Sequence, residues 1–189
     1  MQPMIPKLDG TFTVDVEDYF QVSAFASVIR PADWDHYECR VVQSTRQILD
    51  LAARRATRGT FFILGWVAER YPELVREIQA AGHEIGCHSY MHPEVFKLSA
   101  EEFRTDCQQA LAALAAAGVD QVAGYRAPSF SITPPVHGYL EILQELGFQY
   151  DCSIFPVRHP RYGQPGSPRD AYRLNDSPES LAVIPMPTW

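Results

Sequence analysis

Residues 60–88 read TFFILGWVAERYPELVREIQAAGHEIGCH, and the change of period along them decides the fold. Thr60 to Leu64 is a β-rich apolar run of strand length. Pro72 suits the first turn of a helix, because its missing N–H would be unpaired there anyway. Leu74, Val75 and Ile78 form the apolar stripe of that helix up to Gly82. Glu84 to His88 is then a second strand. A strand, a helix and a strand in close succession make a parallel pair with a helical crossover.

The alternation extends both ways. Upstream, Phe12 and Val14 alternate in a strand over Thr11–Asp15. A long irregular stretch, Tyr19–Val42, follows, and a helix begins at Ser44 with Ile48, Leu51 and Ala52 on one face, ending before Gly59. Downstream, Ser99-Ala-Glu-Glu102 is a capping box, with Phe103, Cys107, Leu111 and Leu114 at helical spacing and a stop at Gly118. A strand over Gln121–Arg126 precedes a helix after Pro134-Pro135, with Leu140, Leu143 and Leu146 inward. Another strand runs through Phe148–Ile154, and Leu181–Met186 is a candidate sixth. The fold class is α/β, as an open doubly wound sheet or a closed barrel. Polar signatures gather at strand carboxyl ends, where the active sites of α/β barrels sit: Asp15–Asp18 after the first strand, His88 after the third, Arg126 after the fourth.

Composition bounds the function. A chain of 189 residues is one domain's worth, and 46% hydrophobic with 21% charged residues excludes wholesale disorder. A net charge of −7 has the wrong sign for a protein that grips nucleic acid through phosphates. The longest small-apolar run, Ala110–Val119, falls well short of the ~20 residues a bilayer span needs. The opening MQPMIPKLDG lacks the charged, apolar and small-residue order of a signal peptide, which points to the cytoplasm. Cys39, Cys87, Cys107 and Cys152 form no C-x-x-C pair and read as buried free thiols.

The chemistry lies in two clusters. His88-Ser-Tyr-Met-His92-Pro93 sets two imidazoles four residues apart, which a helix-like turn projects to one side so that they are able to share a metal; surface or capping histidines are the reading without one. Thr13-Val-Asp15-Val-Glu17-Asp18 packs three carboxylates at the end of an apolar strand, where a cation relieves their repulsion; an exposed turn or an N-cap explains them without one. Two imidazoles and one carboxylate leave coordination positions open, as in a catalytic Zn²⁺ or Fe²⁺ site. A second carboxylate then stays free to take a proton from water. Arg126-Ala-Pro-Ser-Phe130 supplies a guanidinium to hold that carboxylate in place, with a plain surface salt bridge as the bland reading. His83 precedes the third strand at the opposite end and reads as structural, and His137 at a helix start reads as solvated. Trp34, Tyr37 and Phe130 read as core aromatics that are also able to stack on sugar rings.

These segments resemble the polysaccharide deacetylase family, also known as the NodB-homology or carbohydrate esterase 4 group. Thr13–Asp18 is similar to its acidic first motif, and His88–Pro93 fits its H-[ST]-x-x-H-P motif position for position. Arg126–Phe130 resembles its R-x-P-[YF] region, and Tyr150-Asp-Cys-Ser153 resembles its Y-D-x-S stretch. The runs D-V-E-D-Y-F and F-P-V-R-H-P-R-Y-G look closest to a branch associated with bacterial exopolysaccharide gene clusters. The resemblance implies a deformed (β/α) barrel of about seven strands, here a single NodB-like domain over residues 1–189 lacking its C-terminal part. It implies a divalent metal, Zn²⁺ foremost with Co²⁺ or Ni²⁺ as alternatives. Removal of N-acetyl groups from a polysaccharide or oligosaccharide is the implied activity, through metal-bound water activated by a carboxylate. On that basis Asp15 is the base, His88 and His92 are ligands, and Arg126 orients Asp15. Most family members have adjacent Asp-Asp, so two registers stay open: Glu17 as third ligand with Asp15 as base, or Asp18 as ligand with Glu17 as base. The family's late histidine, which protonates the leaving amine, has no counterpart; His159 is a candidate substitute or, with Phe130, a substrate contact. Hydrolysis of a different C–N bond, in a small cyclic amide or ureide, and a catalytically silent carbohydrate-binding domain are the alternatives.

Overall fold

The structure, a computed structural model, describes residues 10–159 and 161–188; the reading of the first nine residues lies outside them. Seven strands are present: β1 (Thr13–Val16), β2 (Thr60–Ile63), β3 (Glu84–Cys87), β4 (Gly124–Tyr125), β5 (Tyr150–Asp151), β6 (Tyr172–Arg173) and β7 (Ala182–Val183). They form one sheet in the order β1-β2-β3-β4-β5-β7-β6. All neighbours are parallel except β6 and β7. The expected barrel of about seven strands thus takes the form of a seven-stranded α/β sheet that is not closed among the described residues. The helices are α1 (Val41–Arg54), α2 (Gly65–Arg70), α3 (Pro72–Ala80), α4 (Ala100–Ala116) and α5 (Tyr139–Glu145). No helix among the described residues is long and apolar enough to cross a membrane.

Strand alternation sorts the sheet into two faces. Val16, Phe61, Ile63, Ile85, Cys87 and Tyr125 join Leu74, Ile78, Phe103 and Leu114 of the helices in one buried core. Cys87 accordingly turns away from the face that carries Gly86 and His88. Cys107 and Cys152 are also buried, Cys39 is half-buried, and all four thiols are free.

On the other face a single row crosses three strands, because the register pairs Asp15 with Phe62 and Phe62 with Gly86. Gly86 has a packing reason: a Cβ there would lie 2.4 Å from the Phe62 ring. The space lets Phe62 lie across β3, and the Arg126 guanidinium rests over that ring at 4.2 Å.

Several elements depart from the sequence reading for identifiable reasons. Helix α1 starts at Val41 rather than Ser44, because the Asp18 carboxylate accepts from the Arg40 and Val41 amides at 2.6 and 2.9 Å. That cap comes from 22 positions upstream, so no local signal announces it. Helix α2 was not expected: its Gly65, Trp66, Val67 and Ala68 are all buried, so no polar face marks a helical period. Strands β4 and β5 are two residues long; after β4 the chain turns at Pro128 into a 3-10 turn. The stretch from Tyr19 forms three 3-10 turns that bury Phe20 and Trp34. Trp34 packs edge-on against Trp66 at 5.6 Å and belongs to the core. His137 is half-buried with its Nδ1 shielded from solvent and unbonded among the described residues, not solvated. His83 is buried, its Nδ1 accepting from the Gly59 amide, as a structural histidine should be.

Gly86→Ala should displace Phe62 and lower unfolding stability by about 1–3 kcal/mol, the usual cost of overpacking, read from the urea midpoint. An unchanged midpoint would mean that the ring has room to move.

Candidate metal centre

Thr13, Asp15 and Glu17 alternate onto the same face at the end of β1. Arg126, from the end of β4, donates to Asp15 Oδ1 at 2.8 Å and to Thr13 Oγ1 at 3.0 Å. Its side chain is buried, so the charge is shielded from water and committed to these partners. Asp18, one residue past Glu17, goes elsewhere. Its carboxylate accepts from the Tyr19, Arg40 and Val41 amides, and its own amide donates to the Gln21 side chain. The register with Asp18 as ligand is therefore corrected: its lone pairs serve as a cap tying β1 to α1, and the N-cap reading of this acid is the apt one.

His88 and His92 approach with ring centroids 5.4 Å apart. The segment between them is not a helical turn, as the spacing had suggested; Ser89 and His92 adopt positive φ values of 72° and 58°. Such backbone is costly for non-glycine residues and needs outside support. Asp106 of α4 supplies it, its buried carboxylate accepting from the Tyr90 and Met91 amides at 3.0 and 3.4 Å. The Arg126 carbonyl lies 2.7 Å from His88 Nδ1, so the tautomer with a proton there donates to it and leaves the Nε2 lone pair free.

Glu17, His88 and His92 each bring one ligand atom within 4.8 Å of the others. Glu17 Oε2 stands 2.8 Å from His92 Nε2, yet the pair lacks hydrogen-bond alignment, and this buried oxygen has no donor among the described residues. An orphaned buried acceptor beside two imidazoles is what a cation would satisfy, and one carboxylate with two imidazoles is a donor set suited to Zn²⁺ or a similar divalent ion. Electrostatics agree with that fit. Burial works against the Glu17 anion, but His92 and His88 outweigh it and hold the carboxyl below its ordinary range. Burial lowers the His88 pKa and favours the neutral imidazole that ligation requires.

A supporting layer lies behind these residues, of which the sequence marks only the Y-D-x-S stretch, without its role. Besides Asp106, Asp151 accepts from the Ser153 amide and hydroxyl, and Ser153 Oγ accepts from the Ala127 amide at 2.8 Å. The Y-D-x-S stretch thereby braces the residue after Arg126. Full burial pushes the Asp151 carboxyl up to about 7. Glu94, two residues after His92, is buried and paired with Lys97 and Arg161. A buried acid at helical or loop spacing looks like any surface acid in one dimension, so only partner geometry reveals these roles. Of the aromatic candidates, Phe130 lies beside Arg126, 5.9 Å from its guanidinium. Tyr37 stacks on Phe20 at 5.7 Å. His159 is exposed and stacked on Tyr162.

A parallel sheet with an acid–imidazole cluster at its strand carboxyl ends has the layout of an α/β enzyme fold. The sequence profile of the family described as polysaccharide deacetylase matches residues 34–150, and the chain belongs to that family. The match includes His88, His92 and Arg126 but neither β1 nor His159. A peptidoglycan-N-acetylglucosamine deacetylase of Bacillus cereus is 38% identical over 103 residues, 54% of this chain and 34% of that protein. A chitooligosaccharide deacetylase of Rhizobium leguminosarum bv. trifolii is 33% identical over 73 residues, 39% of this chain and 34% of that one. The chain thus spans about a third of the length of these relatives. A crystal structure of a Mycobacterium smegmatis protein, a candidate polysaccharide deacetylase, superposes with a TM-score of 0.71 at 25% identity, over 100% of this chain and 64% of that one.

Removing the Asp106 carboxylate tests the support of the histidine loop. Asp106→Ala should weaken zinc binding by about 10–100-fold, the range for outer-layer partners of metal sites, in a chelator-competition titration. Unchanged affinity would show that the loop holds its positive-φ residues without Asp106.

Proposed function

We propose that this chain is a metal-dependent hydrolase that removes N-acetyl groups from amino sugars of a polysaccharide or oligosaccharide. The observation that carries the reading is the gathering of Glu17, His88 and His92 donor atoms beside an Asp15 that Arg126 grips. Membership of the polysaccharide deacetylase family supports it, as do relatives named for peptidoglycan N-acetylglucosamine and chitooligosaccharide deacetylation.

Glu17, His88 and His92 would hold the ion. A divalent cation bound there supplies Lewis acidity, polarising the amide carbonyl and making water easier to deprotonate. Asp15 is the general base: it lies outside the donor set, and its grip by Arg126 fixes the direction in which its free lone pairs point. Arg126 acts through Asp15 and through its carbonyl on His88, and so sets base and ligand relative to each other. Phe130 forms a wall beside Arg126 against which a sugar ring can lie. Cleavage of the C–N bond releases acetate and leaves a free amine on the sugar.

Acetate release from N-acetylglucosamine oligomers in the presence of Zn²⁺ is the direct assay. Asp15→Asn should lower kcat by about 10²–10⁴-fold while zinc is retained, the scale of a lost general base. His92→Ala should lose zinc and activity together. Full activity in Asp15→Asn, or zinc retained at wild-type affinity in His92→Ala, would refute the assignment. Metal bound with no acetate released from any N-acetylated glycan would favour a silent binding domain.

A further inference from the structure

The loop from Phe155 to Gln164 lies outside the family match and takes no part in the chemistry above. Its two ends are tied: the Gln164 amide donates to the Phe155 carbonyl at 2.8 Å, and the Gln164 side chain donates to the Ile132 carbonyl at 2.9 Å. Gly163, at φ +103°, packs so near the Val157 carbonyl that a Cβ would lie 2.3 Å from its oxygen. Arg161 pairs with buried Glu94 at 3.0 Å, which moors the loop two residues from His92. Closed and moored loops of this kind present their side chains pre-ordered.

Its rings form a file. His159 and Tyr162 stack at 3.7 Å and 15°, and Tyr162 and Phe155 lie parallel at 5.6 Å and 4°. Phe130 meets Phe155 and Tyr162 edge-on at 5.5 and 6.0 Å, and its own neighbour is Arg126. Ser129 and Phe130 hold left-handed backbone, φ 52° and 51°, to deliver that ring, with the Ser129 hydroxyl bonded to Ser23 at 2.8 Å. Aromatic rings in mutual contact therefore lead from the guanidinium that grips the base to a histidine exposed at the surface.

The charge along this file is of one sign. From Cys152 to Arg169 the sequence holds three arginines and a histidine but no carboxylate, in a chain of net charge −7. Arg161 is matched by Glu94, whereas Arg158 is exposed and has no carboxylate partner among the described residues. A stacking face accepts the C–H face of a pyranose, and an unmatched guanidinium on the preceding residue of the chain is able to meet a carboxylate in a bidentate manner.

Building on the deacetylase reading, we propose that Arg158 and His159 form a subsite for a carboxylated sugar, so that the substrate is an acidic glycan in which N-acetylated amino sugars neighbour uronic acids. His159 provides the stacking face and Arg158 the counter-charge, and the ring file joins this subsite to the reacting centre.

The test compares two oligosaccharides of equal length by isothermal titration with the zinc-loaded protein: an N-acetylglucosamine oligomer, and one in which N-acetylglucosamine alternates with glucuronic acid. The acidic oligomer should bind about three- to fivefold tighter, the range of a part-exposed ion pair, and the preference should shrink at high salt. Arg158→Ala should bring the ratio of the two affinities towards one, and His159→Ala should weaken the acidic oligomer by a similar factor. Equal binding of the two oligomers, or a preference that survives Arg158→Ala, overturns the subsite. Acetate assays on both oligomers separate this from the parent reading. Acetate released equally from both without a binding preference removes only the subsite, whereas a preference abolished by Arg158→Ala with no acetate from either removes only the deacetylase reading.

Discussion

The ion pair between Arg126 and Asp15 is the constraint on which the site depends. It spans 111 positions of sequence and joins the carboxyl ends of β4 and β1, strands that are not neighbours in the sheet. One arginine reaches three ways: its guanidinium grips Asp15 and Thr13, the same group lies over Phe62, and its carbonyl meets His88. Because the guanidinium is buried, losing Asp15 would leave a charge without its partner, a strongly unfavourable state. The relative placement of Asp15 and His88 is thus tied to a single residue, and Gly86 contributes by leaving room for the Phe62 ring.

Around that pair the protein invests buried acids in backbone rather than in substrate. Asp18 caps α1, Asp106 holds the histidine loop, and Asp151 braces Ser153 and through it Ala127. Each satisfies amides or hydroxyls that would otherwise be buried and unpaired. Of the five nearby acids, Asp15 and Glu17 are the two whose carboxylates lie at the histidine cluster. Of the non-glycine residues at positive φ among those described, Ser89, His92, Ser129 and Phe130 lie in the two segments that carry the imidazoles and the guanidinium, and Ala56 lies apart, just past α1.

Much of this was readable before any coordinates. The strand–helix alternation placed Thr60, Pro72, Glu84 and Ser99 correctly, since Pro at a first turn and a capping box are local signals. Arg126 pairs with Asp15, as the resemblance implies, and the two-residue period of a strand sets Glu17 on the same side as Asp15. What sequence hid was set by tertiary contacts. Asp18 looked like an equal alternative to Glu17 because its amide partners, Arg40 and Val41, are distant in the chain. The first four residues of helix α2 are all buried, with Glu69 and Arg70 exposed only at its end, and β6 pairs antiparallel with a strand that follows it, so neither leaves a periodic trace. The His88–His92 spacing does bring the two imidazoles together, but by a different backbone from a helical turn: two positive-φ residues, in a segment supported by Asp106, set the rings side by side.

Anomalous diffraction at the zinc edge from crystals grown after zinc loading and desalting tests the central claim most directly. The predicted result is one peak lying about 2.0–2.2 Å from a Glu17 oxygen and from one ring nitrogen each of His88 and His92, with Asp15 left uncoordinated on Arg126. A peak on Asp18 or on the cysteines, or no retained zinc at all, would contradict it.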